Sequence, residues 1–215
     1  MGMRIIALVG NKGGVGKTTL AINLASALNE SAPTLLLDAD PQGSSLQWKG
    51  IGGEANGLEV RDASDDLSVS LEEAGGFDFC VIDCPPSVQS SQTREALRVS
   101  ELALIPVQPS PLDLWASVHI EEEVRAAHSV NDKLRALLVI NQMEPRTRLS
   151  RLARDVLTEL NLPAANTAIR RSVAHRNAVL QGCSVMHLGS RGKAAAEEFR
   201  QLVEELGFKE VSGND

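Results

Sequence analysis

Short apolar runs recur along the chain, separated by stretches in which apolar residues return every third or fourth position. The runs RIIALV (4–9), TLLLD (34–38), FDFCVID (77–83), LALIPV (102–107) and RALLVIN (135–141) are apolar on both faces. Strands of this kind suit the inside of a mainly parallel sheet covered by helices. GLEV (57–60) and ANTAI (165–169) are weaker strand candidates. Between the runs, TTLAINLASALN (18–29) sets Leu20, Leu24, Ala27 and Leu28 on one helical stripe. LSRLARDVLTEL (149–160) does the same with Leu149, Leu152, Ala153, Val156, Leu157 and Leu160. Strand–helix alternation predicts right-handed crossovers and an α/β fold: a doubly wound, mainly parallel sheet with helices on both faces. No internal repeat or low-complexity linker interrupts it, so one domain is expected over 1–215, with a frayed tail at 210–215.

A chain of 215 residues with 43% apolar content is enough for one such core. Cys80, Cys84 and Cys183 are too scattered for a disulfide framework or a zinc site. Four residues along a strand separate Cys80 from Cys84 by about 13 Å, too far to share one metal ion. The N-terminus runs straight into a strand with no signal peptide, and no apolar run reaches the roughly 18 residues of a membrane span, so a cytoplasmic location is expected.

The net charge of −7 argues against a nucleic-acid binder that is basic all over. Its distribution changes that picture. Residues 145–196 hold nine Arg and Lys against Asp155 and Glu159 only, a surplus of seven that leaves −14 for the remainder. Arg148, Arg151 and Arg154 lie three apart along one helix edge, and AIRRSVAHR adds Arg170, Arg171 and Arg176. Cations facing phosphates with no base-reading geometry suit non-specific DNA binding; a solvated basic face is the plainer alternative.

The chemistry concentrates in KGGVGKTT (12–19), between a strand and a helix. Gly13, Gly14 and Gly16 let backbone N–H groups turn toward phosphates, and the helix start adds the positive end of its dipole. Lys17 is placed to reach the β- and γ-phosphates, and Thr18 to offer its hydroxyl to Mg²⁺. Gly13, Gly14, Val15, Gly16, Lys17, Thr18 and Thr19 are therefore nucleotide-binding candidates. Asn11 stands where the common G-x-x-x-x-G-K-[ST] pattern has its first glycine, and a second lysine, Lys12, follows it. Asp38 and Asp40 in LLLDADPQ and Asp83 in CVIDCPP lie at strand ends, where open α/β sheets bind ligands. Each could instead cap a helix.

KGGVGKTT, LLLDADPQGSS, FDFCVIDCPPS and ALIPVQPSPLDLWA together resemble the deviant-Walker ATPases of the ParA/MinD superfamily, over nearly the whole chain. The run IPVQPSPLDLWAS is most similar to the small ParA-type partition ATPases. The resemblance implies a Mg²⁺-dependent, partner-stimulated ATP hydrolase that forms a homodimer around two ATP molecules. Lys12 would cross to the nucleotide of the partner subunit, Asp40 would orient the hydrolytic water, and Lys17 would complete the catalytic set. Asp83 would hold Mg²⁺ through water, with Thr18 and Asp38 as the other metal-site residues; Asp38 would lie in the switch beside the phosphates, and Asn141 would read adenine. Arg171 would lead the DNA contacts, with Arg170, Arg176, Arg148 and Arg151. The implied activity is positioning of a plasmid, chromosome locus or protein organelle over the nucleoid, with an adaptor protein that brings a basic, partly disordered segment.

Two other branches are open to this fold. A MinD-like membrane ATPase needs a basic amphipathic C-terminal helix, whereas AAAEEFRQLVEELGFKEVSGND is acidic and anionic lipid would repel it. A nitrogenase-type reductase needs cluster-ligating cysteines, and a cobyrinate amidating synthase carries a further glutaminase domain for which 215 residues leave no room. The strand at residue 4 leaves no place before it for an operator-binding helix-turn-helix.

Overall fold

A computed structural model describes residues 2–52, 57–147 and 162–208, with the backbone alone for 111–118. Six strands form one all-parallel sheet in the order β3-β2-β4-β1-β5-β6. They are β1 (Arg4–Leu8), β2 (Thr34–Asp38), β3 (Glu59–Asp62), β4 (Phe79–Asp83), β5 (Leu102–Val107) and β6 (Arg135–Ile140). The described helices are α1 (Lys17–Leu28), α2 (Ser44–Gly52), α3 (Leu67–Glu72), α4 (Ser91–Val99), α5 (Pro111–His128), α6 (Val173–Leu180) and α7 (Lys193–Leu206). The five apolar runs each became a strand, one or two residues shorter in three cases. GLEV is half of β3. ANTAI forms no ladder strand: isolated bridges at Leu138–Ala164 and Met143–Arg170 flank it, and Ala165 N and Ile169 N donate to Leu138 O at 2.7 Å and Ile140 O at 2.8 Å. The expected helix over 149–160, with Arg148, Arg151 and Arg154, lies outside the described residues.

Alternation along the strands supplies two cores. Ile6, Leu8, Leu36, Val81 and Leu104 face one layer; Ala7, Leu35, Leu37, Cys80, Ile82 and Ile105 face the other. Cys80 and Cys84 are buried thiols of the second layer. Burial alone pushes Cys80 up to about 12, so it packs as a neutral apolar group. On the first face α1 is enclosed between the sheet and α7. That is why its burial extends beyond the expected stripe to Ala21, Ile22, Asn23, Ala25 and Ser26. Asn23 is satisfied there by donating to Thr19 O at 2.7 Å and accepting from Val185 N at 2.8 Å. The apolar side of α7 (Phe199, Leu202, Val203, Leu206) is buried in the same layer, and the helix stops at Gly207, whose φ of 73° suits a left-handed cap. Among the described residues no helix is long and apolar enough to cross a membrane.

The register brings the chemistry together. Leu8 lies opposite Asp83, and Asp83 opposite Asp38, so the ends of β1, β4 and β2 align. Chain order diverges from β1 toward β4 on one side and β5 on the other, which opens the crevice where such sheets bind ligands.

Candidate functional site

The loop after β1 turns through Gly14 (φ 81°) and Gly16 (φ 90°) before α1 starts at Lys17. Only glycine holds both angles without strain, and Gly16 has a second constraint: a Cβ there would lie 2.5 Å from Asn141 Nδ2. The two lysines part ways. Lys17 is 7% exposed, its stem against Gly10, and its Nζ donates to Lys12 O at 3.3 Å within the loop. Burial lowers its pKa, while Asp83 and Asp40 act the other way. Lys12 is exposed.

The three aspartates also differ. Asp38 accepts from Ser45 N at 2.8 Å and Leu46 N at 3.0 Å through Oδ2, and from Asp40 N at 3.2 Å through Oδ1. It caps the first turn of α2, whose N–H groups would otherwise lack acceptors. Burial still raises its pKa, against those three hydrogen bonds. Asp83, fully buried, accepts from Ser45 Oγ at 3.0 Å through Oδ2, and its Oδ1 has no hydrogen-bond partner. Burial, with Asp38 adding to it, pushes Asp83 up to about 7; Thr18, Ser45 and Lys17 pull the other way. A buried carboxylate with one orphaned oxygen beside a threonine hydroxyl fits a hydrated divalent cation. Asp40 is half-buried; its backbone carbonyl accepts from Gly43 N at 2.8 Å and its Oδ1 from Gln42 N at 3.0 Å.

A cavity of about 420 Å³ adjoins the loop. Gly16, Thr19 and Asn141 form its polar wall, and Leu20, Ile169 and Phe199 its apolar one. It has the size and mixed lining of a small-molecule site. His175 also lines it with both ring nitrogens buried; burial lowers its pKa, and Glu198 and the Arg170 backbone act the other way.

The model of the CobQ/CobB/MinD/ParA nucleotide binding domain matches residues 6–185. The chain belongs to this family. It is 38% identical to maintenance of carboxysome distribution protein A of Halothiobacillus neapolitanus, over 94% of this chain and 95% of that protein. It is 33% identical to the chromosome-partitioning ATPase Soj of Thermus thermophilus, over 69% and 73%. An ATP complex of a Cyanothece McdA variant superposes with a TM-score of 0.77 at 20% identity, covering 98% of this chain and 99% of that one. Cobyrinic acid a,c-diamide synthase of Mycobacterium smegmatis, with ADP and magnesium, gives 0.73 at 23%, covering 96% of each. These two likenesses establish the fold. The second also corrects the length-based exclusion of a synthase: a chain of that name is matched nearly end to end here, so length does not separate the branches.

The arginines after β6 are placed differently from what charge counting implies. Arg170 and Arg171 line the cavity with Arg176. Arg170 forms an ion pair through Nε with buried Glu198 of α7, whose other oxygen accepts Arg170 N at 3.0 Å. Arg171 Nη1 meets Glu144 at 3.0 Å while remaining 68% exposed, and Arg176 is exposed on α6. Ser45, Gln108 and Gln142 were missed in the sequence. Gln108 follows directly on β5 and Gln142 comes two residues after the end of β6, and the rule that ligands gather at strand carboxyl ends could have flagged them.

Proposed function

We propose that this chain is a ParA-type positioning ATPase that binds Mg²⁺ and ATP, closes into a homodimer around two nucleotides, and rides on nucleoid DNA to distribute a cargo. The likeness to a carboxysome distribution protein over almost the full length supports a protein organelle of that kind as the cargo. One observation carries the reading: a single loop holds Lys17 buried and Lys12 exposed. The buried lysine serves the chain's own phosphates. The exposed one is available to a nucleotide on a facing copy.

The loop residues Gly13 to Thr19 hold the triphosphate through backbone N–H groups and the start of α1. Mg²⁺, when bound, neutralises charge on the β- and γ-phosphates. Asp83 and Thr18 hold it, and Asp38 fixes the start of α2 beside them. Asp40 positions the attacking water, and Lys12 supplies positive charge across the dimer as the γ-phosphate leaves. Arg171 and Arg176, with Arg148 and Arg151, meet DNA phosphates. Arg170 supports that surface from its pair with Glu198. The adaptor docks with a basic segment on the acidic remainder of the chain. The acidic outer side of α7 and its buried apolar side disfavour a membrane anchor, which supports a cytoplasmic location at the nucleoid.

Sedimentation of wild type and Lys12→Ala with a slowly hydrolysed ATP analogue tests this. Wild type is expected to dimerise with the analogue only. Lys12→Ala is expected to bind nucleotide as a monomer. A normal nucleotide-dependent dimer in the variant overturns the facing-copy role.

A further inference from the structure

We infer that Gln108, Asn141 and Gln142 are positioning residues that hold the phosphate loop open to an anion by taking up its outward carbonyls. This rests on the nucleotide reading above and deepens it. A loop that aims its N–H groups at phosphates must aim carbonyls the other way, and those carbonyls need donors. In this chain three side-chain amides supply them. Gly14 O accepts from Gln108 Nε2 at 2.9 Å and from Gln142 Nε2 at 3.1 Å, which uses both its lone pairs. Val15 O accepts from Asn141 Nδ2 at 2.8 Å. The same asparagine accepts Gln142 N through Oδ1 at 2.9 Å, and Gln142 holds a left-handed φ of 56° that brings its amide over the loop. A non-glycine residue in that conformation costs about 1 kcal/mol and persists where its surroundings hold it. Asn141 is 6% exposed and pressed against Gly16, whose missing Cβ leaves it room.

The sheet divides the labour. From β1 toward β4 and β2, the strand ends carry Asp83 and Asp38. From β1 toward β5 and β6, they lead into Gln108, Asn141 and Gln142. One side meets the cation, and the other shapes the loop. Asn141 therefore contributes to affinity through the triphosphate. To turn its amide toward a base edge it would have to release Val15 O and Gln142 N.

The test measures affinity for Mg·ATP, Mg·GTP and Mg·tripolyphosphate, the last having no base. Wild type is compared with Asn141→Ala, Asn141→Asp, Gln108→Ala, Gln142→Ala and the double glutamine variant. Removing one buried donor is expected to weaken binding about tenfold, and by the same factor for all three ligands. Each glutamine variant alone is expected to lose less than half of what the pair loses, because the two share one acceptor. Asn141→Asp sets a carboxylate against a carbonyl and is expected to bind worst at pH 8. Relative to wild type it should recover toward pH 5, where its protonated acid can donate again, while Asn141→Ala should not. That recovery separates positioning from a general loss of folding. Loss confined to ATP in Asn141→Ala would make it a base reader and overturn the inference. So would unchanged affinities in the double glutamine variant. Absence of binding of all three ligands to wild type would instead remove the nucleotide reading on which the inference rests.

Discussion

Asp83→Asn separates the two burdens that Asp83 carries, one in the empty protein and one in the loaded one. In the protein alone the carboxyl is fully buried with Oδ1 unpartnered, and burial pushes it from an ordinary 3.8 to about 7. That difference is worth roughly 4 kcal/mol between the charged and neutral forms, and it already includes the attraction of Lys17. The sign follows from proton counting. Between 3.8 and 7 the folded protein binds a proton that the unfolded chain has released, so wild-type stability falls as pH rises through that window. Asparagine keeps an oxygen for Ser45 Oγ and removes the charge, but leaves an amide without an acceptor, which costs about 1–3 kcal/mol. The net expectation at pH 8 is a gain of about 2 kcal/mol, or roughly 5 °C in a chain of this size. The wild-type penalty falls by about 1.4 kcal/mol per pH unit below 7, so the gain should shrink through pH 6 and reverse near pH 5. The assay is thermal melting of both proteins without nucleotide or magnesium from pH 4.5 to 8.5, with Mg²⁺-dependent nucleotide affinity measured beside it. The variant should lose the contribution of Mg²⁺ to affinity. Parallel pH profiles, or a variant less stable than wild type at pH 8, would refute the idea that Asp83 is held at a loss until a cation arrives.

Asp40→Ala should bind ATP within a few fold of wild type yet turn it over at least about 100 times more slowly, whereas Lys17→Ala should lose binding itself; titration and phosphate release on both variants check this. Arg170→Glu should unfold the protein by about 3 kcal/mol or more in denaturant titration, because it sets a carboxylate against buried Glu198. Arg171→Glu, whose partner Glu144 is 54% exposed, should cost less than about 1 kcal/mol in the same titration.

The five apolar runs were legible because those strands are largely buried on both faces, whereas β3 is exposed at both ends and was only half caught by GLEV. ANTAI has the composition of a strand, but isolated bridges and two backbone hydrogen bonds hold it without a ladder. KGGVGKTT announced the phosphate loop through glycines that the backbone angles require. The divergence of Asp38 and Asp83 was not legible. Both end apolar strands before a short polar turn, and only the placement of Ser45 and Leu46 gives one aspartate to a helix while leaving the other with an orphaned oxygen. The basic segment misled in a similar way. Charge counting treats Arg170, Arg171 and Arg176 alike, yet Glu198, buried on α7 some 28 positions away, takes the first. Strand-end position could have flagged the donors of the amide brace, but not their acceptors, because the donors follow β5 and β6 and the acceptors lie in the loop after β1.

The central claim is that nucleotide state controls a grip on DNA that is blind to sequence. The direct measurement is binding of random-sequence duplex at several salt concentrations, to wild type without nucleotide, with ADP and with a slowly hydrolysed ATP analogue, and to Arg171→Glu/Arg176→Glu with the analogue. Only the analogue-bound wild type should bind tightly. Each neutralised phosphate adds about −0.9 to the slope of log affinity against log salt, so a dimer that doubles the contacts should show about twice the slope of the monomer. The double variant should still dimerise and lose most of that affinity. Binding that needs no nucleotide, ignores salt, or survives reversal of both arginines would contradict the claim.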